Sequence, residues 1–286
     1  MGARLSRVDL HVHTTASDGT LTPTQTVAEA TRLGVTILAI TDHDITDGVP
    51  EGQAAAREAG IVLVPGVELS AELEGREVHL LGYFVDVGNA RLQHLLSDLR
   101  RRRDQRNREI LARLRSLGAP VAAERVRAIG GEGSVGRPHI AVALVEAGHA
   151  SSLQEAFRRY LAAGRPAYVP GVLLGIEEAC AAIKQAGGIC VVAHAAKLGS
   201  LDAVQRVIAV GAEGVEAFHC DHSEAEAQSL VAFARERSLV VTGGSDSHGP
   251  HPDRPVPIGS VAVPDWVGEE LLARAPSWWR QPEPSP

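Results

Sequence analysis

The chain is poor in aromatics, lysine, cysteine and methionine, and each shortage excludes something. Aromatic residues make up 3% of the 286 positions, so a packed core has to be assembled from Val, Leu, Ile and Ala. Lysine occurs only as Lys184 and Lys197. Every other basic residue is Arg, which with the excess of Ala and Gly reads as genomic composition bias rather than function. Cys180, Cys190 and Cys220 are odd in number and form no CxxC pair. That argues against a disulfide framework and a thiolate zinc site, and fits a reducing cytoplasm. No apolar run approaches the ~20 residues that cross a bilayer, and the N-terminus lacks the apolar stretch of a signal peptide. A cytoplasmic protein with no membrane partner is expected. Positive charge is also short: the formal net charge is −7, which disfavours duplex DNA as a partner bound through bulk charge. What is present, 44% hydrophobic and 22% charged residues, excludes disorder as the main state.

Strand and helix signals alternate over the first 85 residues. Val8 to His13 has period two, with His11 and His13 on one face. Thr22 to Leu33 predicts a helix with Thr22 as N-cap, Pro23 in its first turn and Gly34 closing it. Val35 to Ile40 is a continuous apolar run, as in a buried parallel strand. A helix from Pro50 to Ala59 and strands Ile61 to Val64 and Val78 to Phe84 follow. Residues 88–165 break the pattern with a long charged helix, Arg91 to Leu117, and shorter helical pieces. Alternation then resumes: helix Ile176 to Ala186, strand Ile189 to His194, helix Leu201 to Val210, strand Val215 to His219, helix Ser223 to Arg237, strand Leu239 to Thr242. The QPEPSP tail reads as frayed. This order predicts an α/β protein with a barrel from residues 1–87 and 166–286 and a helical insertion subdomain at 88–165. Without the insertion, the length lies at the low edge of the ~200 to over 400 residues of closed eight-stranded barrels, so an irregular barrel, short of eight strands, is expected.

The chemistry lies in the histidines, of which there are 12. His11 and His13 end the first strand, His43 follows the second, Glu68 the third, and His194 ends a later one. Asp246 and His248 come just after another. In an α/β barrel that rim is where active sites are built. His79 is the exception, because it sits near the start of its strand: either the boundary differs or that strand meets the rim another way. Asp18 precedes Gly19 in a turn. Each residue also has an ordinary explanation: histidines satisfied in the core, a turn aspartate at Asp18, a helix-start carboxylate at Glu68. Together they supply six imidazoles and three carboxylates, donors that suit Mn, Fe, Zn or Mg. Nine ligands exceed one ion, which points to two or three divalent metals, manganese foremost.

The ordered motifs DLHVHTTASDG, TDHD, GVELS, His194 and GGSDSH resemble those of the PHP (polymerase and histidinol phosphatase) family over most of the chain outside the insertion. The resemblance implies a distorted (β/α)7 barrel with a di- or trinuclear metal centre at its rim. It implies that His11, His13, Glu68 and Asp246 hold one metal, that Glu68 bridges to a second held by His79 and His194, and that Asp18, His43 and His248 hold the third. The family commonly has Pro after the later-motif His; here it is Ala195. Gly136-Arg137-Pro138-His139 resembles the branch that hydrolyses nucleoside 3′,5′-bisphosphates and, in some members, trims short RNA from the 5′ end. In that branch Arg137 and His139 would contact substrate phosphate; otherwise the motif is a helix start with a solvated Arg. Lys197 and His219 are further candidate substrate contacts, and His222 reads as a helix start. The Arg run from Arg100 to Arg108 reads as a solvated helix face, with RNA contact as the alternative. The expected activity is a metal-dependent phosphoesterase using metal-activated water on a small phosphorylated nucleotide or short RNA. A histidinol-phosphate phosphatase and a non-catalytic, metal-stabilised nucleotide-binding module are the competing readings.

Overall fold

Seven strands ring a core of Val, Leu, Ile and Ala in the computed structural model, which describes residues 7–131, 133–171, 173–250 and 256–279. The QPEPSP tail lies outside the described residues. In chain order come β1 (Val8–Val12), α1 (Pro23–Arg32), β2 (Ile37–Ile40), α2 (Val49–Ala59), β3 (Val62–Leu73) and β4 (Arg76–Tyr83). Then follow α3 (Ala90–Ser116), α4 (Ala123–Gly130), α5 (Arg137–Glu146) and α6 (Leu153–Ala156), which runs into a π turn at Phe157–Leu161. The barrel resumes with the short β5 (Leu174–Gly175), α7 (Ile176–Gln185), β6 (Ile189–Val192), α8 (Leu201–Ala209), β7 (Gly214–His219), α9 (Glu224–Glu236), β8 (Val240–Gly244) and α10 (Asp265–Ala273).

Local chemistry sets the expected boundaries. Thr22 and Gln25 form a reciprocal capping box at the start of α1, with Pro23 in its first turn. Gly60 closes α2 in the left-handed conformation, φ 70°. The short β5 and α10, and the extension of β3 beyond Val64, carry no such signal and were not expected.

The strand order is β1-β2-β3-β4-β6-β7-β8, with β5 on β3 outside this path. β1, β2 and β3 run parallel, as do β6, β7 and β8. The parallel alternation breaks at β4, which is antiparallel to both β3 and β6. Glu74-Gly75, with φ of 52° and 78°, makes a two-residue turn, so β4 starts where β3 ends and Ser70 lies opposite His79. This explains why His79 sits at a strand start and still reaches the rim.

The ring closes on β1 without a regular strand pair. The Asp246 N–H donates to His11 O and the His13 N–H to Ser247 O, both at 2.9 Å. Here β8 and β1 lie so close that a Cβ on Gly244 would fall 2.3 Å from the His11 nitrogen. A second apolar cluster, separate from the barrel core, joins α3, α4 and α5 through Ile110, Leu114, Val126, Ile140 and Leu144, and reaches Val169.

Gly244→Ala is expected to push β8 off β1 and to cost about 1–3 kcal/mol, as overpacking does. Denaturant unfolding with an unchanged midpoint would contradict this close approach.

Candidate metal centre

Glu68 is 1% exposed and sits amid five imidazoles. Its Oε2 lies 3.3 Å from His11 Nε2, 3.3 Å from His13 Nε2 and 3.1 Å from His43 Nδ1. Its Oε1 lies 2.8 Å from His79 Nδ1 and 3.2 Å from His194 Nε2. Asp246 Oδ1 faces His13 Nε2 at 3.2 Å and His11 Nε2 at 3.5 Å. Asp18 faces His248 Nε2 at 3.4 Å and His43 Nε2 at 4.0 Å. All nine residues singled out in the sequence thus meet at the end of the barrel.

Ligand atoms within 4.8 Å of one another fall into overlapping groups: His13, Asp18, His43 and His248; His11, His13 and Glu68; His43, Glu68 and His79; His11, His219 and Asp246. Both ring nitrogens of His13, Nδ1 of His43 and Oδ1 of Asp18 are buried without a hydrogen-bond partner. Buried polar groups are rarely left so, and divalent ions bound by imidazole and carboxylate would satisfy them. The residues present therefore fit a metal centre.

Carboxylates and imidazoles shift one another strongly here. Burial alone would raise Glu68, Asp18 and Asp246, but the surrounding imidazoles hold all three well below the usual carboxylate range. Burial takes His43 down to about 4 and also lowers His194, leaving both neutral with lone pairs available. Burial opposes charging of His13 and His79, yet their carboxylate neighbours carry both up to about 10.

Buried aspartates hold the loops that carry these ligands. Asp9 accepts from the Ser245 N–H at 2.8 Å, Ser245 Oγ at 2.7 Å and the Gly259 N–H at 2.7 Å. Asp42 accepts from the Thr14 N–H and Thr14 Oγ1, each at 2.7 Å, and from Ser17 Oγ at 2.5 Å. Asp44 accepts from the Ser70 N–H at 3.0 Å and pairs with Arg103. His248 Nδ1 meets Asp246 O at 2.9 Å, which turns its Nε2 toward Asp18. Asp44, His194 and Asp246, with φ of 55°, 32° and 54°, are three of the six left-handed non-glycine residues among the described residues.

The candidate substrate contacts distribute differently. A cavity of about 410 Å³ opens over the centre, lined by His43, His79, His194, His248, Arg76 and Lys197, the last paired with Asp221 at 2.7 Å. Glu77 also lines it, and lines a smaller cavity beside it with Arg102, Arg103 and Arg106. Arg137 begins α5, lies 3.7 Å from Glu77 and stacks 5.7 Å from the Tyr168 ring centre, so it is not simply solvated. His139 is buried and accepts from the Gly136 N–H at 3.0 Å, capping α5. His219 is buried beneath Asp246, 3.3 Å from its Oδ2, and His222 accepts from the Ala196 N–H at 3.3 Å.

Sequence reasoning missed Glu216, Glu77 and the inward side of the Arg run. The reading of that run as a solvated face fails for Arg103 and Arg106. Arg103 pairs with Asp44, and Arg106 is 9% exposed with its Nη2 unpartnered. For Glu216 a signal existed: a carboxylate within Val215-Glu216-Ala217-Phe218 is too costly to bury alone.

A PHP domain family model matches residues 9–163. The chain belongs to the PHP family. It is 38% identical over 251 residues to the 5′-3′ exoribonuclease Rnm of Escherichia coli K12, covering 85% of this chain and 86% of that one. It is 32% identical over 252 residues to a 3′,5′-nucleoside bisphosphate phosphatase of Chromobacterium violaceum, covering 86% and 88%. A crystal structure described as a metal-dependent phosphoesterase of Bifidobacterium adolescentis superposes with a TM-score of 0.87 at 34% identity, over 94% of this PHP chain and 96% of that one. This PHP protein is a metal-dependent phosphoesterase, a hydrolase with a distorted barrel. Among the described residues, no helix is long and apolar enough to cross a membrane.

Stripping metal with a chelator is expected to lower the melting temperature by several degrees, and a divalent ion should restore it, since ions that bind only the folded state stabilise it. A melting curve that ignores both treatments would count against the centre.

Proposed function

We propose that this enzyme hydrolyses nucleoside 3′,5′-bisphosphates to nucleoside 5′-monophosphates, and that it trims short 5′-phosphorylated RNA at the same site. The observation that carries the reading is that Glu77 borders both the cavity over the metal centre and a wall of Arg102, Arg103 and Arg106, with Arg137 beside it at 3.7 Å. One phosphoryl group would sit in the cavity over the centre and the other against the wall. Arg106 brings an unpartnered, buried guanidinium nitrogen to that wall, and burial together with neighbouring Arg137 depresses its basicity. An added anion relieves both strains. Histidinol phosphate offers a cationic ammonium there instead, which the guanidiniums repel. The relatives named as a bisphosphate phosphatase and an exoribonuclease support the same substrate class.

The proposed metal ligands are His11, His13, Asp18, His43, Glu68, His79, His194, Asp246 and His248, with manganese as the preferred ion. Bound ions would supply an ionisable water and neutralise charge developing on the phosphoryl oxygens. Lys197 and Arg76 would flank the scissile phosphate, and Arg137 and His139 would orient the second. His219 would act from beneath Asp246. Residues 88–165 would serve as a subdomain that supplies the basic wall, with 1–87 and 166–286 as the catalytic barrel. None of the three cysteines is in a disulfide, which suits a cytoplasmic enzyme.

Manganese-loaded protein incubated with adenosine 3′,5′-bisphosphate, histidinol phosphate and a short 5′-phosphorylated RNA is expected to prefer the bisphosphate, releasing phosphate and AMP. His43→Ala should abolish turnover, and Arg137→Ala should raise KM at least about tenfold, the weight of a lost charged hydrogen bond. Preference for histidinol phosphate would sink the nucleotide assignment. Absence of turnover on any substrate would favour a binding module.

A further inference from the structure

We propose that Glu216, midway along β7, is a positioning residue of the metal centre that fixes the His11 imidazole and the His194 backbone with one carboxylate. The inference rests on the metal-centre reading above. Glu216 is fully buried among Val215, Ala217 and the strands of the barrel core. Its Oε1 lies 2.9 Å from His11 Nδ1, and its Oε2 accepts from the His194 N–H at 2.5 Å. These partners come from opposite parts of the ring, the end of β1 and the turn after β6. One side chain therefore ties together two stretches of chain that share no strand pairing.

Each contact constrains a ligand nitrogen. With Nδ1 of His11 engaged, Nε2 is the nitrogen left to face Glu68 and Asp246. A neutral imidazole has one donor nitrogen, so an acceptor at Nδ1 fixes the tautomer that leaves the Nε2 lone pair free for a metal. His194 has φ 32° and ψ 53°, left-handed backbone that a residue with a Cβ keeps only when its surroundings demand it. The hydrogen bond from its N–H to Glu216 is such a demand, and it aims His194 Nε2 at Glu68. Glu216 itself belongs to none of the ligand groups. Both its oxygens are turned to donors, and it acts through the two histidines.

The chemistry of the pair makes Glu216→Gln informative. Both partners donate, and a carboxylate accepts from both. A glutamine amide has one accepting oxygen and an NH2 that donates, so it satisfies both only if His11 carries its proton on Nε2, which removes the lone pair a metal needs. The volume is unchanged and the barrel should still fold.

Chelator-stripped wild type and Glu216→Gln would be titrated with Mn2+ by calorimetry, with bound ions counted by mass spectrometry and folding checked by circular dichroism. With an unchanged circular dichroism spectrum, the variant is expected to bind Mn2+ about 10- to 100-fold more weakly, the usual effect of removing such an outer partner, and to retain fewer ions. Wild-type affinity and ion count in the variant would overturn the inference. Should the variant not fold, the wild type decides: in the zinc-loaded protein, nitrogen-15 correlation spectra should show the His11 proton on Nδ1, and a proton on Nε2 would overturn it. A wild type that takes up no ion would instead overturn the metal centre itself.

Discussion

Five imidazoles crowd one buried carboxylate, and this is the constraint around which the barrel is organised. Glu68 meets His11, His13, His43, His79 and His194 at 2.8–3.3 Å. In a site of low effective dielectric a carboxylate without counter-charge would not stay ionised. The imidazoles of β1 and β4 supply that charge, and those of the β2 loop and the turn after β6 complete the enclosure. The reversal of β4 is part of the same solution. It brings a histidine from a strand start to a rim otherwise built from strand ends.

Such a cluster is costly to assemble from mobile loops, and the chain limits that cost with three further carboxylates. Asp9 and Asp42 each hold a separate loop by backbone N–H groups and hydroxyls, and Asp44 ties the loop after β2 to Ser70 of β3. The ligand loops are thus fixed before any ion binds, which is what preorganised catalysis requires. The left-handed residues Asp44, His194 and Asp246 mark where this fixing works against the backbone's own preference.

The sequence carried some of these features and hid others, for physical reasons. The Thr22 N-cap of α1, Pro23 in its first turn and the apolar run of β2 are local, and they were legible. So was the meeting of the nine candidate ligand residues, because metal chemistry restricts residue type and the rim restricts position. The direction of β4 depended on Glu74-Gly75, a turn whose two positive φ values are readable only once Glu74 is allowed a conformation it rarely adopts. Arg103 and Arg106 looked solvated because their surroundings, Asp44, Glu77 and Val169, lie far along the chain. Helical periodicity alone cannot tell which charged face turns inward.

Leu92, Leu96 and Leu99 tie the first half of α3 to the barrel core, while its second half packs with α4 and α5 around a separate apolar cluster, and β4 pairs with β6 and β3 with β5 across the excursion. The sheet is continuous beneath them, and lengthening a loop between fixed ends costs entropy only logarithmically. In the proposed reading, the catalytic centre and much of the substrate-reading surface rest on different cores. Divergence could exchange or reshape the helical portion, redirecting the enzyme to another phosphorylated molecule, while leaving every ligand in place. Relatives that share the histidines would then differ in diet rather than in chemistry.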